Sequence, residues 1–550
     1  MSYFQKHKES ILNAAKANAE RTFYAAYPEH PKAYAPDAND VGMEAYKNQL
    51  GNKFSQLLQG ETASWGGEEN SPYTREDLGI SYPLYTSEEL VANAKAAKKA
   101  WANVSPEERA GILVESLERV KDRFFEIGYA TMHTTGQSFI MSFQASGPHA
   151  NDRAMEAIAM GYEEQQRFPN QVTWVKPMGK FDITLQKEFK AVPKGVALVI
   201  GCSTFPTWNT VPGLYASLVT GNPTIVKPHP KSVLPIAIVV AEIQNVLKEA
   251  GLDTNICQLG ADVSENLITK ELSEHKDVKL IDYTGGSAFG NYIESLTSKT
   301  VFTEKAGVNS CIIDSVADMN AVMQNIGFSI SLYSGQMCTA PQNFFVPEGG
   351  IESADGHISF DEVVEHFKKA VVGIAQHPKM GVGVYGAIQN DITLERLKGS
   401  GSIGATVAQE TMTVDSPEFE NARVGSPAVL VVDGNNVETY EQELFGPIVF
   451  IIKTKNTADS VAKAKEMGEK HGAITCLAYT TNAETKAMIK EEMEEVFVPV
   501  SFNLVGGIFV NQHAAFSDFH VTGGNPAGNA SFTNPEYINK RFVWVGHREI

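Results

Sequence analysis

The sequence predicts an α/β protein with doubly wound parallel sheets in more than one domain. Between residues 195 and 307, short apolar runs alternate with helical stretches, the pattern of a parallel sheet whose crossovers are helices. A second α/β segment runs from about 310 to 510. At 550 residues the chain also exceeds what one hydrophobic core supports.

Taken in order, residues 1–35 place Phe4, Ile11, Leu12, Ala15, Phe23 and Ala26 near helical spacing, predicting an amphipathic helix. Residues 36–85 are rich in Gly, Pro, Asn and acidic side chains and predict a loop-rich arm. From 87 to 165 the pattern is helical again, opening on Ser87 with glutamates behind it, a capping signature. Residues 171–192 alternate apolar and polar residues around Met178-Gly179 and predict a hairpin of long strands.

Strands then follow at "GVALVIG" (195–201), "TIVKP" (224–228), "ICQLG" (256–260), "VKLIDYTGG" (278–286) and "TVFTEKAG" (300–307). Helices are expected to about 219, over 232–250, over 264–272 and after 286. The terminal "FVWVGHREI" reads as a last strand. "GVGVYG" (381–386) and "GSGSIG" (399–404) satisfy G-x-G-x-x-G but lack the strand before or helix after that a dinucleotide fingerprint needs, so both read as loops.

Composition excludes several classes. With 65 acidic against 46 basic residues, the formal charge of −19 disfavours nucleic acid as a partner. Five cysteines, none in a CxxC pair, suit a reducing compartment and give no zinc pattern, so no metal is expected. The first residues lack the apolar core of a signal peptide, and the longest apolar runs, such as "IAIVVA" (236–241), are too short to span a bilayer. A soluble cytoplasmic protein is the expectation.

Cys338, in "SGQMCTA" (334–340), is the candidate nucleophile. A lone cysteine is ordinarily a small buried hydrophobe. Glu304, at the end of a predicted strand in "TEKAGVNS", supplies the carboxylate that a thiol mechanism needs. Strand ends meet at the carboxyl edge of a parallel sheet, where ligands bind. Gly335 lets the chain turn sharply ahead of the thiol.

Glu304 and "GQMCTA" at this spacing, with "TGGSAFG" (284–290), "GNPTIVKPHP" (221–230) and "ELFGP" (443–447), resemble the aldehyde dehydrogenase superfamily in motif order. "TTGQSFIMSFQASGPHANDRA" (134–154), the long N-terminal arm and "GGNPAGNASF" (523–532) are similar to its PaaN type, from phenylacetic acid degradation. The resemblance implies an aldehyde dehydrogenase-like fold: two doubly wound α/β domains plus a protruding β oligomerisation element. It implies cofactor binding by residues 1–170 and 193–308, catalysis by 309–505, and assembly through 171–192 and 506–550. Cys338 would attack an aldehyde, hydride would pass to a nicotinamide cofactor, and Glu304 would activate water to hydrolyse the thioester.

Implied cofactor contacts are Lys227, His229, the turn Thr284, Gly285, Gly286 and Ser287, and then Glu443 and Phe445. Many relatives carry a Glu three residues after the lysine; Pro230 stands there, which favours NADP over NAD. Many also carry an oxyanion-binding Asn where Thr204 stands here, leaving Thr204, the Cys338 amide or Asn209 as donor. The implied substrate is a semialdehyde of aromatic ring catabolism, free or as a CoA thioester. A homodimer or homotetramer is expected, closed by the hairpin meeting a partner's terminal strand. The rival readings are a CoA-acylating enzyme, which Glu304 counts against, and a catalytically silent scaffold.

Overall fold

Five parallel strands build the first sheet, in the spatial order Cys257–Leu259, Thr224–Lys227, Val196–Ile200, Val278–Gly285, Thr300–Lys305. The computed structural model describes residues 2–377, 380–511, 515–516 and 520–550. Period-two alternation explains how the sheet is covered on both faces. Ala197 and Val199 face one core with helices Pro106–Lys121, Pro148–Gln166, Pro206–Val219 and Leu234–Glu249. Val196, Leu198 and Ile200 face the other, with Leu90, Val91 and Ala94 of helix Ser87–Asn103. Chain order reverses beside Val196–Ile200, so the turns leaving that strand and Val278–Gly285 flank the crevice where doubly wound sheets bind ligands.

The second sheet has seven strands: Thr406–Gln409, Ala428–Asp433, Ile448–Thr454, Asn343–Pro347, Ser310–Ile313, Cys476–Tyr479 and Val500–Phe502. All pairings are parallel except that of the edge strand Thr406–Gln409. Ile312, Phe345 and Phe450 fill one face and Cys311, Phe344 and Ile451 the other. Among the described residues, no helix is long and apolar enough to cross a membrane.

Several expectations need correction. The first helix is Tyr3–Glu20, because Arg21 turns left-handed (φ 51°) and ends it; the chain to residue 35 keeps only the short turn Pro31–Ala33. The arm contains a helix, Ala38–Lys47. The cap of Ser87–Asn103 is Thr86, one residue earlier, in a reciprocal capping box with Glu89. The helix expected over 264–272 forms at Thr269–Glu274, since the Ile268 amide is held by Asp262 and a turn closes between Val263 and Asn266. Gly381–Tyr385 and Gly399–Ser402 are single helical turns and not loops.

The hairpin Gln171–Pro177/Asp182–Pro193 forms as expected, but the terminal strand Phe542–Glu549 pairs with it within the same chain. The reason lies just before that strand. Arg541 is fully buried, with Nη1 and Nη2 on Asp282 at 2.7 and 2.6 Å and Nη1 also on Ser217. Tyr537 donates its hydroxyl to the same carboxylate, and the guanidinium lies over the Phe302 and Tyr537 rings. This pins the C-terminus to the first sheet. Arg541→Met strands Asp282 in the core and is expected to cost about 3–5 kcal/mol, read as a lower denaturant midpoint. Adding Asp282→Leu recovers part of that loss, because no charge is then left unpaired. An unchanged midpoint in the single variant contradicts this account of the pin.

Candidate active site

The thiol is positioned by a strained turn. Helix Met319–Ser331 ends, and Tyr333, Ser334 and Gly335 then take left-handed conformations in succession (φ 51°, 50° and 63°). A left-handed non-glycine residue costs about 1–2 kcal/mol, so the surroundings must enforce the turn. They do so with buried hydrogen bonds: Tyr333 donates to the Thr135 carbonyl and Ser334 to the Tyr385 carbonyl. At Gly335 a Cβ would meet the Gly446 carbonyl oxygen at 2.6 Å, so only glycine fits. Asn309 then fixes the nucleophile loop by donating to the carbonyls of Cys338 (2.7 Å) and Ala340 (3.1 Å).

Glu304 arrives from the neighbouring sheet at the end of Thr300–Lys305, with 1% of its surface exposed. Two side chains satisfy its carboxylate. Asn209, on helix Pro206–Val219, donates to both oxygens at 3.2 and 3.1 Å. His520 places Nε2 3.0 Å from Oε1, and the same nitrogen is 3.4 Å from Cys338 Sγ. Burial alone would raise the Glu304 carboxyl. His520 and then Arg153 outweigh it and hold the group below the ordinary carboxylate value. Burial, and next the Glu304 charge, push the Cys338 thiol well above its usual value, so the resting sulfur keeps its proton.

Arg153 is buried beneath this group with its guanidinium over Trp208 (4.0 Å) and Phe532 (4.7 Å). The same two rings flank His520, Trp208 edge-on at 4.8 Å and Phe532 stacked at 6.2 Å. Above the thiol opens a cavity of about 360 Å³ walled by Met141, Phe205, Trp208, Phe328, Met337 and Phe509. Glu29, 63% exposed and 2.9 Å from His149, marks its mouth.

Of the residues singled out in the sequence, Cys338 and Glu304 meet here. Thr204 lies just before the helix that carries Asn209, but its hydroxyl sits against the Cys202 thiol, its carbonyl accepts from Gln137, and it is not in the cavity wall. Asn209 faces the centre, with its amide engaged by Glu304. His520 and Arg153 escaped sequence reasoning. Arg153 lies inside the stretch 134–154 but with no role assigned to it, and His520, in no motif, reaches the site because residues 525–530 cover the edge of Thr300–Lys305. There the Lys305 amide donates to Ala527, and Asn529 accepts from the Thr303 amide.

Of the candidate cofactor residues, Lys227 and the turn Thr284–Ser287 stand at the carboxyl ends of strands Thr224–Lys227 and Val278–Gly285 of the first sheet. Lys227 is 2% exposed, with Nζ 2.6 Å from Asp262 Oδ1. The His229 ring accepts from the Lys231 amide at 3.1 Å, and Lys231 pairs at 3.1 Å with Glu68, which the N-terminal arm delivers. Thr284 and Gly285 pair with Glu304 and Lys305. Gly286 opens helix Ser287–Glu294 with no side-chain cap, and a Cβ there would meet nothing within 4 Å. Ser287 turns its hydroxyl to the Ala306 carbonyl. Glu443 and Phe445 line a small pocket with Gly307 and Met337; burial lifts the Glu443 carboxyl to about 7 against the opposing pull of Arg396. An open helix start at a topological switch point, beside a buried lysine, fits a dinucleotide.

Residues 68–525 match the aldehyde dehydrogenase family. The chain belongs to that family. It is similar to the crystal structure of an NAD-dependent aldehyde dehydrogenase from Burkholderia multivorans, at 43% identity and a TM-score of 0.97, over 100% of this chain and 99% of that one. Rat 4-trimethylaminobutyraldehyde dehydrogenase is 26% identical over 397 residues, 68% of this chain and 73% of its own length. The 1-pyrroline-5-carboxylate dehydrogenase 2 of Bacillus subtilis is 23% identical over 534 residues, 90% of this chain and 94% of its own. The aldehyde dehydrogenase fold expected from the motifs is therefore the fold found, and the protein is an oxidoreductase of that family.

Proposed function

We propose that this protein oxidises an apolar aldehyde to its carboxylic acid through a thioester on Cys338, with Glu304 as the base for hydrolysis. The observation that carries the reading is the meeting of a thiol and an ionised, buried carboxylate through one histidine at the floor of an apolar cavity. Cys338 binds the carbonyl carbon and holds the acyl group. Glu304, kept ionised by Asn209 and His520, takes a proton from the water that releases it. Lys227, the Gly286 turn and Glu443 would hold the nicotinamide cofactor, which supplies a hydride acceptor when bound. A scaffold without catalysis would have no reason to retain this buried charge.

Aromatic walls and the likeness of the arm and the "GGNPAGNASF" segment to the PaaN type support a semialdehyde of phenylacetate or related ring catabolism. A free semialdehyde suits the cavity better than a CoA thioester. Among the described residues no Lys or Arg lines it, and Glu29 stands at its mouth against phosphate groups. Exposed Trp174, Phe181 and Ile183 on the hairpin and Val545 on the terminal strand support a homodimer or homotetramer joined there. On this reading residues 1–170 and 193–308 bind cofactor and 309–505 carry the nucleophile. The charge and cysteine pattern support a cytoplasmic setting.

The structure also bears on cofactor choice. Pro230 removes the acid expected beside the lysine, but Glu68 and Asp262 bring carboxylates to the same place. They would repel a 2′-phosphate, so the reading is NAD in preference to NADP.

The mechanism is tested by offering each cofactor with a panel of free and CoA-linked semialdehydes. Cys338→Ala is expected to form no reduced cofactor, and Glu304→Gln to stop after one turnover. Undiminished activity of Cys338→Ala contradicts the reading. Glu68→Gln is expected to narrow the ratio of NADPH to NADH dissociation constants by about tenfold, measured by fluorescence titration; this corresponds to about 1.4 kcal/mol. A ratio that does not move removes Glu68 from cofactor choice.

A further inference from the structure

We infer that Cys338, Glu304 and His520 form a binding site for a zinc-class divalent cation, whose occupancy shuts the enzyme down reversibly. The coordination stands apart from the proposed function; only the loss of activity rests on Cys338 being the nucleophile. Its ground is geometric. His520 Nε2 lies 3.4 Å from Cys338 Sγ and 3.0 Å from Glu304 Oε1, and the three atoms fall within 4.8 Å of one another. Around tetrahedral zinc, with Zn–S of about 2.3 Å and Zn–N or Zn–O of about 2.0–2.2 Å, neighbouring ligand atoms stand about 3.3–3.6 Å apart. Two edges of that tetrahedron are present to within a few tenths of an ångström. No spacing motif announces the set, because residues 304, 338 and 520 are far apart in the chain.

The donor set selects the ion. One thiolate, one imidazole and one carboxylate suit zinc, whereas magnesium and calcium take oxygen ligands. The charges close as well. A dication, a thiolate and a carboxylate sum to zero, so the bound ion leaves no net charge where Glu304 and His520 are buried. Binding exchanges hydrogen bonds for metal bonds. The S–H proton leaves for solvent as the metal–sulfur bond forms. Any proton on Nε2 leaves too, and the ring then keeps one hydrogen on Nδ1. Glu304 exchanges its contact with the ring for the metal, so its charge stays satisfied. The site therefore needs no particular resting state of the histidine.

The surroundings hold the ligands in place before an ion arrives. Asn209 orients the Glu304 carboxylate through both oxygens, and Trp208 and Phe532 fix the plane of the His520 ring. Arg153, buried alongside, opposes the cation, and Glu156 on the same helix offsets that charge. Access is open. Cys338 and His520 both line the cavity, no Lys or Arg stands among its described lining residues, and the Glu29 carboxylate waits at its mouth. Three protein ligands leave the fourth position facing the cavity, where water completes the tetrahedron. With the sulfur and the carboxylate both engaged, the site has neither a nucleophile for the aldehyde nor a base for the hydrolytic water.

The test is titration of the full chain with Co2+ and Zn2+. Cobalt is expected to bind with a thiolate-to-metal charge-transfer band and the intense visible bands of four-coordination, and zinc to abolish both by displacing it. Zinc affinity, measured by competition with a chromophoric chelator, is expected to fall at least about 100-fold in His520→Gln and in Cys338→Ala, since losing even an outer contact of a ligand costs about 10–100-fold. Zinc is also expected to protect Cys338 from iodoacetamide, read by peptide mass spectrometry, and to stop phenylacetaldehyde oxidation until a chelator is added. Cobalt binding without the charge-transfer band overturns the inference. So does a band that survives in Cys338→Ala, or a zinc affinity equal in wild type and both variants, because the ion then sits elsewhere. If the variants fail to fold, the wild-type cobalt spectrum and the protection of Cys338 decide. Oxidation undiminished by saturating zinc overturns the inhibitory role. Should the cobalt band depend on Cys338 while Cys338→Ala still oxidises phenylacetaldehyde, the metal site stands and the nucleophile assignment falls.

Discussion

A carboxylate that is 1% exposed cannot stay ionised without partners, and the arrangement of the active site follows from meeting that need at Glu304. Asn209 must point inward from the start of helix Pro206–Val219 to donate to both oxygens. His520 must approach from the opposite side, and Arg153 must lie near enough for its charge to be felt. These groups come from a helix N-terminus, the C-terminal segment and a helix of the N-terminal half. Their convergence fixes how the first sheet, its helices and the tail sit together.

Cys338 is subject to the opposite pressure. Burial and then the charge of Glu304 itself keep the thiol protonated, so nucleophile and base do not both carry charge at rest. His520 Nε2 lies within reach of both, 3.4 Å from the sulfur and 3.0 Å from the carboxylate. The left-handed turn at Tyr333–Gly335 is the structural counterpart. It holds the sulfur at that distance against local strain, drawing on hydrogen bonds to segments near residues 135 and 385.

Much of the fold was legible because the signals are local. Buried strands such as Val196–Ile200 stand out as apolar runs bounded by glycine, and helices such as Leu234–Glu249 by their length. Cys338 and Glu304 were legible because each stands in a short motif with a chemical purpose. Long-range features were not. Arg541 reads as an ordinary surface arginine until Asp282 is placed beside it, and without that pair nothing says the last strand stays on its own chain. His520 follows no periodic segment, and its role depends on the tail crossing the edge of Thr300–Lys305. Glu68 looks like one acid among several in a loop-rich arm. Its meaning comes from Lys231, far along the chain.

The account's central claim is that the acyl group is carried on Cys338 and released by Glu304. The most direct measurement is intact-protein and peptide mass spectrometry of Glu304→Gln after brief exposure to NAD and an apolar probe such as hexanal or phenylacetaldehyde. The account predicts a mass gain equal to the aldehyde less two hydrogen atoms, located on the peptide containing Cys338 and lost on treatment with hydroxylamine. Reduced cofactor forming with no adduct, or an adduct on any other residue, contradicts it.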